Sequence, residues 1–172
     1  MRCGDILQYR HHREYGFSKY WVYADTITSS VKSIGIFSAP TDPEVCRGRD
    51  CNHLATCKAL LEDLRSFLQE TYPTSKVTVR NGLDEIYIDT YSRMVLADGF
   101  FCNPSTFCLY PAIASTGKGY LVDSYLYPFA KSIDKSKGRV ETLETPFLNM
   151  QPIVDQRMNA QAIINWLRQP KP

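Results

Sequence analysis

Two short segments combine residue types that bind anions. Near the amino end, Arg2-Cys3-Gly4-Asp5 sets a guanidinium, a flexible glycine and a carboxylate close together. A strand lying mostly upstream would leave this segment at its carboxyl end, the edge where open α/β sheets collect ligands. Further on, Asn103-Pro104-Ser105-Thr106-Phe107 reads as a strand-to-helix turn. Its hydroxyls and backbone N–H groups would stand at a helix N-terminus, where donors and dipole favour an anion. Together the two segments predict a pyrophosphate site. Arg grips phosphate oxygens through paired charge-assisted hydrogen bonds of about 1.5–3 kcal/mol each, and a helix end adds about 0.3–1 kcal/mol. Singly, each segment is ordinary: Ser-Thr before a helix is first of all a cap, and Arg-x-Gly-Asp recurs by chance.

These residues need a scaffold, and the intervening sequence supplies strands and helices in alternation. Val31 to Ala39 is apolar and β-branched up to Pro40 and predicts a buried strand. Between His53 and Tyr72 the residues Cys57, Leu60, Leu61, Leu64, Phe67 and Leu68 recur at helical spacing, with Lys58, Glu62, Asp63 and Arg65 on the other face. Tyr72-Pro73 stops this helix, and Lys76 to Arg80 alternates as a second strand. After Asn81-Gly82, Ile88 to Ala97 predicts a short helix with Asp89 in its first turn, followed by a brief strand from Phe100 to Asn103. Ser105-Thr106 opens another helix, which Pro111 would kink unless it sits in the first turns, and Tyr120 to Val122 reads as a strand.

Strand and helix alternating in this way predict an α/β, Rossmann-like three-layer domain with a mostly parallel sheet. We place that domain over residues 1–124. Residues 125–172 form a C-terminal extension: Tyr125 to Gln156 reads as loop with a charged run, and Ala160, Ile163, Ile164, Trp166 and Leu167 form a short closing helix packed on the same domain.

With 172 residues the chain needs only one core, and 44% hydrophobic with 22% charged residues excludes disordered and repetitive classes. A net charge of +2, evenly spread, gives no nucleic-acid or anionic-membrane surface. No apolar run reaches the roughly 18 residues of a membrane span, and the first residues lack the charged, apolar and small-residue order of a signal peptide. The charged, glycine-containing start predicts a chain cut inside a larger protein, with any membrane anchor upstream of Met1.

Six cysteines are many for a reducing compartment. Cys46, Cys51 and Cys57, with His53, fall in a loop leading into a helix, but one uneven trio lacks the paired spacing of a zinc site. A disulfide among these three, the third being free or paired elsewhere, is the favoured alternative and implies an oxidising lumen. The bland reading of Cys3, Cys102 and Cys108 is as small buried hydrophobes. His11, His12 and Glu14 lie in a Tyr- and Arg-rich segment that reads as solvated loop, and Tyr20, Trp21 and Tyr23 as packing aromatics.

The order of the segments resembles the fucosyltransferase superfamily with the GT-B fold, which includes alpha-1,2, alpha-1,6 and protein O-fucosyltransferases. Met1-Arg2-Cys3-Gly4-Asp5 is similar to the last five positions of that family's His-x-Arg-x-Gly-Asp motif, the histidine falling just before Met1. Asp89, then Arg93 to Ala97, then Phe101, then Ser105-Thr106-Phe107 follow the family's later order. Tyr15-Gly16-Phe17 is similar to uncharacterised eukaryotic, algal-type members. The similarity runs from Met1 to about Asp123. Cys3 stands where a second basic residue is usual, and Pro104 and Pro111 flank the turn.

The resemblance implies the donor-binding half of a glycosyltransferase, in the Golgi or ER lumen or secreted. By it, Arg2 contacts the diphosphate of a GDP-sugar and stabilises the departing GDP as the catalytic residue. Asp5 orients the motif loop, Asp89 hydrogen-bonds the nucleoside, and Ser105, Thr106 and Phe107 bind phosphate. Transfer, of fucose as the sharpest expectation, would invert the anomeric centre and use no metal, with a glycan or glycoprotein as acceptor. The contrasting expectation is a secreted, disulfide-bonded binding module that keeps the fold without catalysis.

Overall fold

A computed structural model describes residues 16–38, 52–81, 86–103, 106–122, 139–143, 147–149 and 159–172. Twelve elements follow in the order β1 (Gly16–Ser18), α1 (Tyr20–Thr26), β2 (Ser33–Phe37), α2 (Asn52–Thr71), β3 (Lys76–Arg80), α3 (Tyr87–Leu96), β4 (Gly99–Cys102), α4 (Thr106–Ala114), β5 (Lys118–Val122), β6 (Val140–Leu143), β7 (Phe147–Asn149) and α5 (Ala160–Leu167). The fold is mixed α/β and Rossmann-like. Its parallel strands form two small sheets, β2 beside β3 and β4-β5-β6, while β1 and β7 pair antiparallel.

α2 forms because its apolar residues fall on one stripe. Leu54, Cys57, Leu60, Leu61, Leu64 and Leu68 are buried, while Lys58, Glu62 and Arg65 face solvent. That stripe packs on β2 and β3 through Ile36 and Val77, and on α5 through Ile163 and Leu167. Fully burying a Leu or Ile stabilises the fold by about 1.5–3 kcal/mol each, so α5 is an integral part of this core. Its start is capped by Asn159, whose side chain accepts from the Ala162 N–H at 2.8 Å. Its end is tied to α2 by Arg168, whose guanidinium meets Asp63 at 2.9 Å and Glu70 at 3.3 Å.

A second core lies behind the three-stranded sheet. Successive strand residues point to opposite faces, so Cys102 and Leu121 turn to one side, where they pack with Leu109 and Ala112 of α4. Phe101 and Tyr120 turn to the other and stack at 4.6 Å, and Tyr23 of α1 meets Phe101 edge-on at 5.5 Å. Helix, sheet and helix thus form three layers here. α4 lies close enough to β5 that a Cβ at Gly119 would drive into the Ala112 carbonyl, which only glycine avoids.

Three elements depart from the expectations of the sequence. Tyr20 to Thr26 is helical, and Tyr20 and Tyr23 are buried in the first core, whereas Trp21 is half-buried beneath the Lys171 ammonium. The stretch read as loop in the extension contains β6, which adds to the sheet beside β5, and β7, which pairs with β1. Both strands are four residues or shorter; partners distant in sequence supply what local patterning does not. Pro111 sits in the interior of α4, fully buried, where it removes one intrahelical hydrogen bond.

Candidate functional site

The carboxyl edge of the three-stranded sheet is fixed by its connections. The Thr116 N–H donates to the Val95 carbonyl at 2.8 Å and that of Lys118 to the Asp98 carbonyl at 2.9 Å, so the end of α3 and the end of α4 meet at the amino edge. Both helices therefore begin at the opposite edge, where β4 ends. There the Tyr87 ring meets the Phe107 ring edge to face, centroids 6.1 Å apart. Asp89 lies in the first turn of α3, exposed, where a carboxylate suits the helix dipole.

A disulfide closes the turn between β4 and α4. Cys102, the last residue of β4, bonds to Cys108 in the first turn of α4. This corrects the reading of the two as free buried thiols: both are buried, 0% and 6% exposed, but as a bridge. The five residues it encloses are Asn103-Pro104-Ser105-Thr106-Phe107, the turn singled out as an anion site. The signal was present in the sequence. Cysteines six apart, on either side of a tight reversal, come within the roughly 7 Å that a bridge tolerates, and here their Cα atoms are 5.4 Å apart.

Asn103 holds the turn from within. Its Nδ2 donates to the Tyr23 hydroxyl at 3.0 Å and its Oδ1 accepts from the Ser18 hydroxyl at 2.8 Å. Its own carbonyl oxygen lies 3.4 and 3.2 Å from the two bridge sulfurs. β1, α1 and β4 are thereby joined at one residue. Burial pushes the Tyr23 hydroxyl pKa up, opposed in part by hydrogen bonds with Asn103 and Ser18. Tyr23 is therefore a neutral structural hydroxyl.

Of the predicted site residues, Asp89 and Phe107 are brought to one edge by adjacent helices. Thr106 is the first residue of α4, though its side chain, like Arg2, Asp5 and Ser105, lies outside the described residues. So do His11, His12 and Glu14. Cys57 is disulfide-bonded. Its partner lies outside the described residues, as do Cys46 and Cys51. Sequence reasoning missed Tyr87, whose exposed ring borders Phe107; a tyrosine outside any periodic stripe carries no signal of its own.

A separate cleft of about 210 Å³ opens between α1 and β6, lined by Trp21, Val22, Asp25, Thr26, Thr142, Leu143 and Lys171. Its charged groups satisfy one another: the Lys171 ammonium is 2.8 Å from Asp25 and lies over the Trp21 ring. Among the described residues no group of His, Cys, Asp and Glu is placed to hold a metal ion, and no helix is long and apolar enough to cross a membrane. Comparison of the chain with protein-family models, with curated proteins and with solved structures gives no match.

Proposed function

We propose that this chain is the donor-binding portion of a glycosyltransferase acting on a nucleotide sugar, with GDP-fucose as the donor of first choice. The observation that carries the reading is the meeting of α3 and α4 at the carboxyl edge of a parallel sheet. Asp89 and the Thr106-Phe107 helix start share the edge at which such sheets bind nucleotides. The residue order also resembles that of fucosyltransferases. The bridge between Cys102 and Cys108 supports a lumenal or secreted setting.

In this reading the start of α4 does its work by being held in place. A departing diphosphate gathers negative charge, and donors already aimed at it stabilise that charge without reorganising. The disulfide and the Asn103 anchor hold the start of α4 for that purpose, and Arg2 brings the neutralising guanidinium. The acceptor, a glycan or glycoprotein, would be activated by groups outside these residues, and no metal is required.

Calorimetric titration of the chain with GDP, against UDP and ADP, tests the reading. Selective GDP binding is expected, weakened roughly 10-fold or more by Arg2→Ala, the loss of one charge-assisted contact. Equal or absent binding of all three nucleotides would remove the donor-site reading and favour the non-catalytic binding module.

A further inference from the structure

The cleft between α1 and β6 is built from groups that the nucleotide reading does not use. Trp21, Val22, Asp25 and Thr26 line one side of it. Adjacent pairs four residues apart share one face of a helix, so α1 turns all four toward the cleft, while Tyr20 and Tyr23 enter the core. Across from them stand Thr142 and Leu143, the last two residues of β6, and Lys171 beyond the end of α5. The register sets Thr142 and Leu143 beside Leu121 and Val122, the last two residues of β5. The cleft therefore opens at the carboxyl edge of the three-stranded sheet, where ligands of open α/β sheets gather. It is separate from the corner of Asp89 and Phe107, because α1 meets Phe101 on the sheet face opposite α4. Every residue that lines it is described.

The lining divides by chemistry. Trp21, Val22 and Leu143 supply apolar surface. Asp25 and Lys171 supply a charged pair at 2.8 Å, with side chains 46% and 62% exposed. That pair decides what charge a ligand can carry. An ion would have to break a contact that already exists, whereas an uncharged ligand leaves it intact and uses the capacity it spares. An ammonium has three donors and a carboxylate about four acceptor positions. Among the described residues, Lys171 and Asp25 each spend one of these, on each other. Thr26 gives its proton to the Val22 carbonyl at 2.6 Å, which leaves its oxygen as an acceptor. The Lys171 ammonium stands 5.2 Å from the Trp21 ring centre, well short of the close seat that Lys19 takes over Trp166 at 3.8 Å.

We propose that this cleft binds one pyranose ring of an uncharged sugar. Such a ring divides as the lining does, with apolar C–H faces and a rim of hydroxyls that both donate and accept. Its C–H face meets Trp21 and Leu143. Neighbouring hydroxyls donate to Asp25 and accept from Lys171 in charge-assisted hydrogen bonds, the stronger kind, and a further hydroxyl donates to Thr26. At about 210 Å³ the cleft is smaller than the roughly 300–1,000 Å³ of sites for drug-sized ligands, so it seats a single ring and not a nucleotide.

The inference does not rest on the nucleotide reading: a chain that binds no GDP can still bind a pyranose here, and the converse. The chain has two tryptophans, Trp21 in the cleft and Trp166 outside it, whose indole N–H resonances report binding and its internal control. The purified chain is titrated with methyl β-glucopyranoside, methyl β-galactopyranoside and methyl α-mannopyranoside, against cyclohexanol and free lysine. At least one pyranoside is expected to shift Trp21 with a Kd on the order of 1–10 mM, as suits a small ligand, while Trp166 stays still. Asp25→Ala and Lys171→Ala, both at exposed positions, should each raise that Kd roughly 10-fold. The inference is overturned if no pyranoside moves Trp21 up to about 100 mM, or if both variants bind as the unaltered chain does. A shift as large with cyclohexanol overturns it in favour of a plain apolar crevice, and one as large with lysine in favour of a cation site. Should a variant unfold, the contrast between pyranosides and controls at Trp21 of the unaltered chain decides alone.

Discussion

Asn103 follows β4 with its side chain turned inward, and its position shows how a single amide joins three elements. Ser18 is 1% exposed, and Tyr23 is buried beneath the same network. Removing the amide by Asn103→Ala would leave the two hydroxyls to one another, without the donor and the acceptor that Asn103 supplies. Losing these buried hydrogen bonds costs about 1–3 kcal/mol, so the urea midpoint should fall by that equivalent. An unchanged midpoint would mean that water replaces the amide and that the network is dispensable. None of this was legible in the sequence, where Asn103 reads as the first residue of an anion-binding turn. Residue type reports what a side chain can bond to, while its partners, 80 and 85 residues away, are set by the packing of β1 and α1 against β4.

The disulfide belongs to an element boundary, since it joins the end of β4 to the first turn of α4. Closing a loop of about seven residues removes roughly 2.4 kcal/mol of unfolded-chain entropy in the simplest model. Cys102→Ala with Cys108→Ala should lower unfolding stability by about that amount, read from denaturant titration. If the clamp also serves the ligand, GDP affinity should fall in the same variant. α2, β3, α3 and α5 were legible because each repeats its own period: Leu60, Leu64 and Leu68 at helical spacing, Val77 and Val79 at strand spacing. α1 was not, because Tyr20-Trp21-Val22-Tyr23 is apolar and aromatic without a polar face to set the phase. β6 was hidden behind a charged run, and its identity comes from pairing with β5, including Lys118 with Glu141 at 2.5 Å.

Across the molecule as a whole, three tyrosines in or beside the first core bear on stability at high pH. Burial pushes the pKa of Tyr20, Tyr23 and Tyr72 upward, and Asp63 adds to the effect at Tyr20. The folded state therefore holds these protons more tightly than the unfolded chain, whose tyrosines titrate near 10. Their contribution is fully present below about pH 10 and is lost as pH rises beyond it. Urea midpoints should be level from pH 8 to about 9.5 and decline by about pH 11, and Tyr20→Phe should make the decline shallower; a profile flat to pH 11 would refute this. The α/β class was legible from the alternation of periods, whereas the division into two parallel sheets was not, because strand order depends on contacts distant along the chain. One such contact carries a consequence for synthesis. Asp63 and Arg168 are 105 residues apart, and Ile163 and Leu167 complete the core that α2 begins. At about 5–20 residues per second, α2 would emerge from the ribosome roughly 5–20 s before its covering helix. For that interval the part of the α2 stripe that Ile163 and Leu167 finally cover lacks that cover, a window in which a chaperone that shields apolar helices would find its substrate.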